Sequence, residues 1–321
     1  MFRKSNLKSI FTLIMIISLI VIFTVVGFAQ EKKYTVGVTI YSFNHKYTLR
    51  VLEGVNKAAE KYNVEVIAID SNDDQAKQIA DTEALITRGV DGIIATPITT
   101  EGGQEVVTLA NEANIPIVCV SRRVPAGDYV YLGSDDVESG RMAVQYFAKK
   151  LNGEGKVAMV MGTMGSSSEV DRSLGWHEEL KNHPGLESVA EITGQFFRDG
   201  GLKATEDILT AHPDVKAIWY QNDDMLLGGI VALEGQGMLD KVITLGVDGD
   251  PEAIQAIKDK KADATLFQEA EFQGGFALGL LVLQLEGREV NGYETKFSIV
   301  DGNNVLNIFP SEDNLATTFP Y

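Results

Sequence analysis

The sequence predicts an α/β protein with two parallel sheets, each covered on both faces by helices. Three observations lead there. From Tyr34 onward, short apolar runs alternate with amphipathic stretches. The apolar runs are continuous rather than alternating, as strands buried on both faces are. They are also too many for one small sheet, and a chain of 321 residues is long enough for two ordinary domains.

Taken in order, strands are expected at YTVGVTIY, VEVIAI, DGIIAT, IPIVCV, YVYL, KVAMVM, VKAIWY, KVITLGV and ADATLF. Helices are expected at Leu49 to Tyr62, Asp74 to Arg88, Glu101 to Asn114 and Val137 to Leu151, then at Glu169 to Asn182, Leu202 to Ala211, Met225 to Gln236 and Glu252 to Lys258. A longer helical run covers Phe272 to Glu286. Punctuation supports these bounds. Asp70-Ser71-Asn72-Asp73-Asp74 reads as a solvated loop and cap, Gly153-Glu154-Gly155-Lys156 as a turn, and Gly165-Ser166-Ser167-Ser168-Glu169 as a serine cap. His183-Pro184 and His212-Pro213 close helices, and Asn222 or Asp223 is suited to cap one. The chain is expected to change sheet at Gly133-Ser134-Asp135-Asp136, and again near Gln268 to Glu271.

The first 29 residues read differently. Arg3, Lys4 and Lys8 precede an uncharged apolar stretch from Ile10 to Val26, and Gly27-Phe28-Ala29 places small residues where a signal peptidase reads. This predicts an export signal cleaved after Ala29; a retained anchor is the alternative, because the stretch is long enough to span a bilayer. Losing the segment takes the formal net charge from -17 to -20. So acidic a surface argues against nucleic acid as a partner and for a soluble monomer. The single cysteine, Cys119, lies in an apolar run and reads as a structural thiol.

Enzyme signatures are missing. There is no G-x-G-x-x-G after a strand, no phosphate loop, and no nucleophile elbow. His45, His177, His183 and His212 lack metal-ligand spacing, so neither a metal nor a cofactor is expected, and no catalytic residues are assigned.

The polar residues are placed more informatively. AIWY ends in Gln221-Asn222-Asp223-Asp224, VITLGV in Asp248-Gly249-Asp250, TLF in Gln268, IVCV in Ser121-Arg122-Arg123, and VGVTIYSF in Asn44-His45-Lys46-Tyr47. Ligands of open α/β sheets sit outside the carboxyl ends of strands. Amides, carboxylates, guanidinium groups and rings converging there describe a pocket for a small, hydroxyl-rich molecule. Of Phe196 and Phe197, one ring is expected to face it.

From Tyr34 to about Val300 the chain resembles the exported type I periplasmic sugar-binding proteins of ABC importers, ribose-binding-protein-like in pattern. The resemblance rests on YSFNHKY, DSNDD, ANIPIV, the SDD turn, EVDRSLGW, ILTAHPDVKAIWYQNDDMLLGG and LGVDGDPEAIQAI. It implies two doubly wound, Rossmann-like domains joined by three strand crossings: an N-terminal lobe of residues 34–134 plus 269–298, and a C-terminal lobe of 135–268 plus 299–321. It also implies that His45, Tyr47, Arg122, Arg172, Phe196, Asn222, Asp248 and Gln268 touch the sugar, with Ser121 beside them. Ser121 stands where ribose binders carry an aspartate, His45 and Thr48 replace an asparagine and a phenylalanine, and Lys46 replaces a proline. A sugar or polyol other than ribose is therefore expected, delivered to an ABC permease. The alternative is a sugar-sensing module that presents its ligand to a chemoreceptor or sensor kinase.

Overall fold

A computed structural model of the chain describes residues 34–308; the expected export signal and its cleavage point lie outside them. Strands β1 (Tyr34–Ile40), β2 (Val64–Asp70), β3 (Gly92–Ala95), β4 (Ile117–Val120) and β5 (Val130–Ser134) alternate with helices α1 (Lys46–Tyr62), α2 (Gln75–Thr87) and α3 (Thr100–Glu112). A second series follows: α4 (Asp136–Lys150), β6 (Gly155–Met161), α5 (Ser167–Leu180), β7 (Leu186–Thr193), α6 (Arg198–Ala211), β8 (Ala217–Tyr220), α7 (Asp223–Gly235), β9 (Ile243–Asp248), α8 (Pro251–Lys258) and β10 (Ala264–Phe267). The described chain ends with α9 (Ala270–Leu285), β11 (Tyr293–Thr295), β12 (Ser298–Asp301) and α10 (Val305–Ile308).

The strands form two six-stranded sheets, ordered β11-β5-β4-β3-β1-β2 and β12-β10-β9-β8-β6-β7. Each is the same doubly wound pattern, with the strand order reversing beside its first strand. Pairing is parallel except for β12, which runs antiparallel to β10. The chain passes between the sheets after Ser134, after Phe267 and after Thr295. The last passage corrects the expected boundary at residue 298. Ser298 already pairs with Phe267 in the second sheet, and Phe297 is buried in that sheet's core, which draws the chain across three residues earlier.

Three strands escape the sequence pattern. The edge strand β7 interleaves Glu187, Ser188 and Glu191 among its apolar residues and is only partly buried, so it shows no continuous run. Strands β11 and β12 are three and four residues long. Helices α1 and α6 also begin earlier than expected, because their first turns are polar.

Apolar faces pack around each sheet. In the first, Val36, Val38 and Ile40 of β1 are fully buried. In the second, Trp176 of α5 stacks on Trp219 of β8 with ring centroids 5.5 Å apart. Cys119 is buried in β4. Helix α9 returns to the first sheet and lies directly on α1. The contact is so close that a Cβ on Gly274 would sit 1.9 Å from the Val51 carbonyl oxygen, and one on Gly54 would sit 1.9 Å from that of Glu271. Backbone cannot yield as a side chain can, so these sites admit glycine alone. Gly274→Ala is expected to lower stability by about 1–3 kcal/mol through overpacking, read as a lower urea midpoint with an unchanged slope. An unchanged midpoint would mean that the two helices separate freely.

Candidate ligand-binding site

Because the strands of each sheet are parallel, their carboxyl ends share one edge, and the two edges face each other. Between them lies a small cavity. All nine residues singled out in the sequence line it. His45, Tyr47, Ser121 and Arg122 come from the first lobe, and Arg172, Phe196, Asn222 and Asp248 from the second. Gln268 comes from the passage between them. Asp224, part of the strand-end polar set, also lines the cavity, as do Tyr41 and Ser168, which were not assigned to it. Tyr41 follows β1 directly, so the same strand-end reasoning could have found it.

The two arginines are held differently. Arg172 is buried, donates from Nε to Asp136 at 2.8 Å, and donates from Nη1 to the Gln221 carbonyl. Burial disfavours its charge, but Asp136 and Asp248 outweigh that and raise its pKa. Arg122, equally buried, donates from Nη1 to the carbonyls of Pro97 and Ile98 at 3.0 and 2.8 Å. Its guanidinium lies over the Tyr41 ring, 4.1 Å from the centroid, and 5.4 Å from that of Phe196. Burial lowers its pKa.

Asn222 serves two purposes. Its Oδ1 accepts from the Met225 N–H as the cap of α7, and its Nδ2 donates to the Phe196 carbonyl. That bond ties the aromatic wall to the helix cap. Asp223, an equal candidate from sequence, turns inward instead. Its carboxylate takes the Asp250 N–H and the Thr265 hydroxyl, both at 2.8 Å, and it does not line the cavity. Of the phenylalanine pair, Phe196 lines the cavity, while Phe197 stacks on His45 at 4.7 Å. Nε2 of His45 lies 3.4 Å from Asp73.

Asp248 is buried at the end of β9 and accepts from Gln268 Nε2 at 2.6 Å. Burial and the neighbouring Asp250 push its pKa up to about 8, against the pull of Arg172 and Gln268. Burial also raises Asp250 to about 6 although Arg50 opposes it, and it raises Asp223 well above the usual carboxylate range. Three of the lining residues hold left-handed backbone: Ser121 at φ 69°, Phe196 at φ 65° and Asp248 at φ 121°. Such conformations cost about 1–3 kcal/mol each and collect where a side chain must be aimed.

Several contacts bridge the lobes around the cavity. Arg50 of α1 donates to the Asp250 carboxylate and to the Gly249 carbonyl, both at 3.2 Å. The Arg123 N–H donates to Ser167 Oγ at 2.8 Å, and the Arg123 side chain reaches Asp171 at 3.4 Å. The Thr100 N–H donates to the Gly165 carbonyl at 3.0 Å. The two lobes are thus closed on one another.

Comparison with known proteins agrees with this architecture. Residues 36–289 match the model of the periplasmic binding protein domain family. The ribose import binding protein of Bacillus subtilis is 32% identical over 262 residues, which is 81% of this chain and 85% of that protein. The xylitol-binding protein of Mycolicibacterium smegmatis is 27% identical over 264 residues, 82% of this chain and 75% of that protein. Among solved structures, an ABC transporter solute binding protein from Bacillus halodurans with bound myo-inositol superposes with a TM-score of 0.82 at 31% identity, covering 87% of this chain and 98% of that one.

The buried carboxylates make stability depend on pH. A carboxyl whose folded pKa is raised binds more protons folded than unfolded between those two values, so stability falls as pH rises through that window. For Asp248 the window runs from about pH 4 to about pH 8. The unliganded protein should therefore melt at a lower temperature at pH 8.5 than at pH 5. Asp248→Asn should flatten that slope, and an identical slope in the variant would remove Asp248 as its source.

Proposed function

Since the chain belongs to the periplasmic binding protein domain family, we propose that it is an exported solute-binding protein that captures a monosaccharide or polyol between its two lobes and delivers it to an ABC permease. One observation carries the reading. Polar and aromatic side chains from the carboxyl ends of both sheets, separated by up to 227 positions in the chain, face a single buried cavity. The residue types suit a sugar. Phe196 and Tyr47 offer apolar faces to ring C–H groups, whereas Asn222, Asp248, Arg122 and Arg172 offer donors and acceptors of fixed direction to hydroxyls. Hydrogen bonds to charged groups contribute about 1.5–3 kcal/mol each, so a few account for the roughly 8 kcal/mol of micromolar binding.

Capture works by population shift. A ligand touching both lobes binds the closed form better than the open one and favours closure by that difference. The lobes turn about the three passages while each sheet stays rigid. The closed form presents one continuous surface to the permease. No bond in the ligand is broken; the relatives above are binding proteins.

Two experiments test this. In a calorimetric panel of monosaccharides and polyols, at least one compound should bind with micromolar or better affinity, and ribose should not be the tightest. The reading fails if a folded preparation binds none of them. Arg50 lies outside the cavity lining and pairs with Asp250 across the lobes. Arg50→Ala should weaken binding about tenfold, which corresponds to about 1.4 kcal/mol of lost closure energy. Unaltered affinity would mean that the pair does not help to hold the lobes together.

A further inference from the structure

We infer that the captured ligand is a sugar acid, a monosaccharide whose carboxylate lies against Arg122. This rests on the capture reading above and narrows its ligand. Arg122 is 97% buried, being 3% exposed, yet among the described residues no carboxylate lies within ion-pair distance of it. Its Nη1 is committed to the carbonyls of Pro97 and Ile98. Its Nε and Nη2 hydrogens, the edge that pairs side-on with a carboxylate, have no acceptor among the described residues, and Arg122 lines the cavity.

The surrounding charges sharpen the point. Arg172, the other guanidinium on the cavity, is already matched by Asp136 at 2.8 Å. Asp224 is matched by Arg198 at 3.2 Å. Asp248 is bonded by Gln268, and Asp73 lies beside His45. The position next to Arg122 is Ser121, a neutral hydroxyl on the same strand end. Arg122 is thus the one guanidinium on the cavity with no carboxylate of its own among the described residues. A buried charge without an ion-pair partner is costly; Asp73 and Asp136 act on it only from a distance, and with the stacking on Tyr41 they offset part of that cost without restoring its pKa.

A neutral sugar can accept a hydrogen bond from Arg122, but it leaves the charge unbalanced. A carboxylate accepts two parallel N–H bonds from the free edge and balances the charge as well. A phosphate dianion fits less well, because one guanidinium cannot balance it and Asp248 lines the same cavity. The hydroxyls of the sugar are then left to Asn222, Asp248 and Arg172 on the second lobe.

The test is calorimetry of the purified protein at pH 7.5 with glucuronate, galacturonate and gluconate. Each is set against glucose or galactose, alongside myo-inositol and galactose 6-phosphate. At least one acid should bind tenfold or more tightly than its neutral counterpart. Ser121→Asp supplies the missing carboxylate at a left-handed position that aspartate tolerates. It should abolish the preference, weakening the acid at least tenfold more than the neutral sugar. Tighter binding of any neutral compound or of the phosphate than of every acid overturns the inference and leaves sugar capture standing. Absence of binding by every compound overturns both.

Discussion

A buried hydrogen-bond knot at the three passages between the lobes is the interaction on which the rest of the structure depends. Ser134 closes β5 and donates to Gln268 at 3.1 Å, and its hydroxyl shares a 2.8 Å bond with Thr295 at the end of β11. Gln273 of α9 donates to Ser134 at 3.0 Å and to Thr295 at 2.9 Å, so each of the three passages contributes to one network. Two further bonds join the knot to the cavity: Gln268 donates to Asp248, and the Tyr47 hydroxyl donates to Gln273. Buried polar groups are expensive unless satisfied, and a fully connected set fixes its members' geometry. The passages between the lobes are thereby tied to residues that line the cavity.

That connection explains why so many charges can be buried at the centre of the molecule. Asp136 sits in the first turn of α4, where backbone N–H groups and Arg172 offset its charge. Asp223 sits in the first turn of α7 and holds the Asp250 N–H, while Asp250 meets Arg50 from the opposite lobe. The carboxylates of the second lobe are therefore supported by helix ends, by one another's backbone and by a cation from the opposite lobe. In the proposed capture cycle, opening returns Asp250 and Arg50 to water and closing desolvates and pairs them. The net gain from such a pair is modest. That suits a device whose two states must stay close enough in energy for a small ligand to choose between them.

Much of this was legible in the sequence because parallel α/β sheets place chemistry at predictable points. A continuous apolar run announces a strand, and the polar residues just beyond it lie at the carboxyl edge, which is how Arg122, Asn222, Asp248 and Gln268 could be located. The unread parts depend on partners distant in the chain. The Tyr47–Gln273 bond spans 226 positions, and nothing local marks Gln273 within the apolar helix α9 as a hinge residue. Asp136 reads as an ordinary helix-start carboxylate until Arg172 is brought against it. Strand β7 was hidden because an edge strand needs no continuous apolar face. Asp223 misled for a related reason: a carboxylate at a strand end can turn inward to hold a neighbouring loop as readily as outward to a ligand.

The two halves of the cavity differ in how firmly they are built, and that difference bears on specificity. On the second lobe, Arg172 is locked by Asp136 and the Gln221 carbonyl, Asn222 by the cap of α7, and Phe196 by its carbonyl bond to Asn222. Changing Arg172 or Asn222 disturbs a helix end or leaves a buried group unpaired. On the first lobe, Arg122 is anchored to two carbonyls, His45 rests against rings, and Ser121 turns through a strained backbone with its side chain beside the Tyr47 hydroxyl. Substitutions at His45 or Ser121 alter the charge and shape offered to the cavity without unpairing the carbonyls that Arg122 holds. In the proposed capture of a sugar, the second lobe accordingly supplies the general grip on a hydroxylated ring, and the choice among such rings falls to the first.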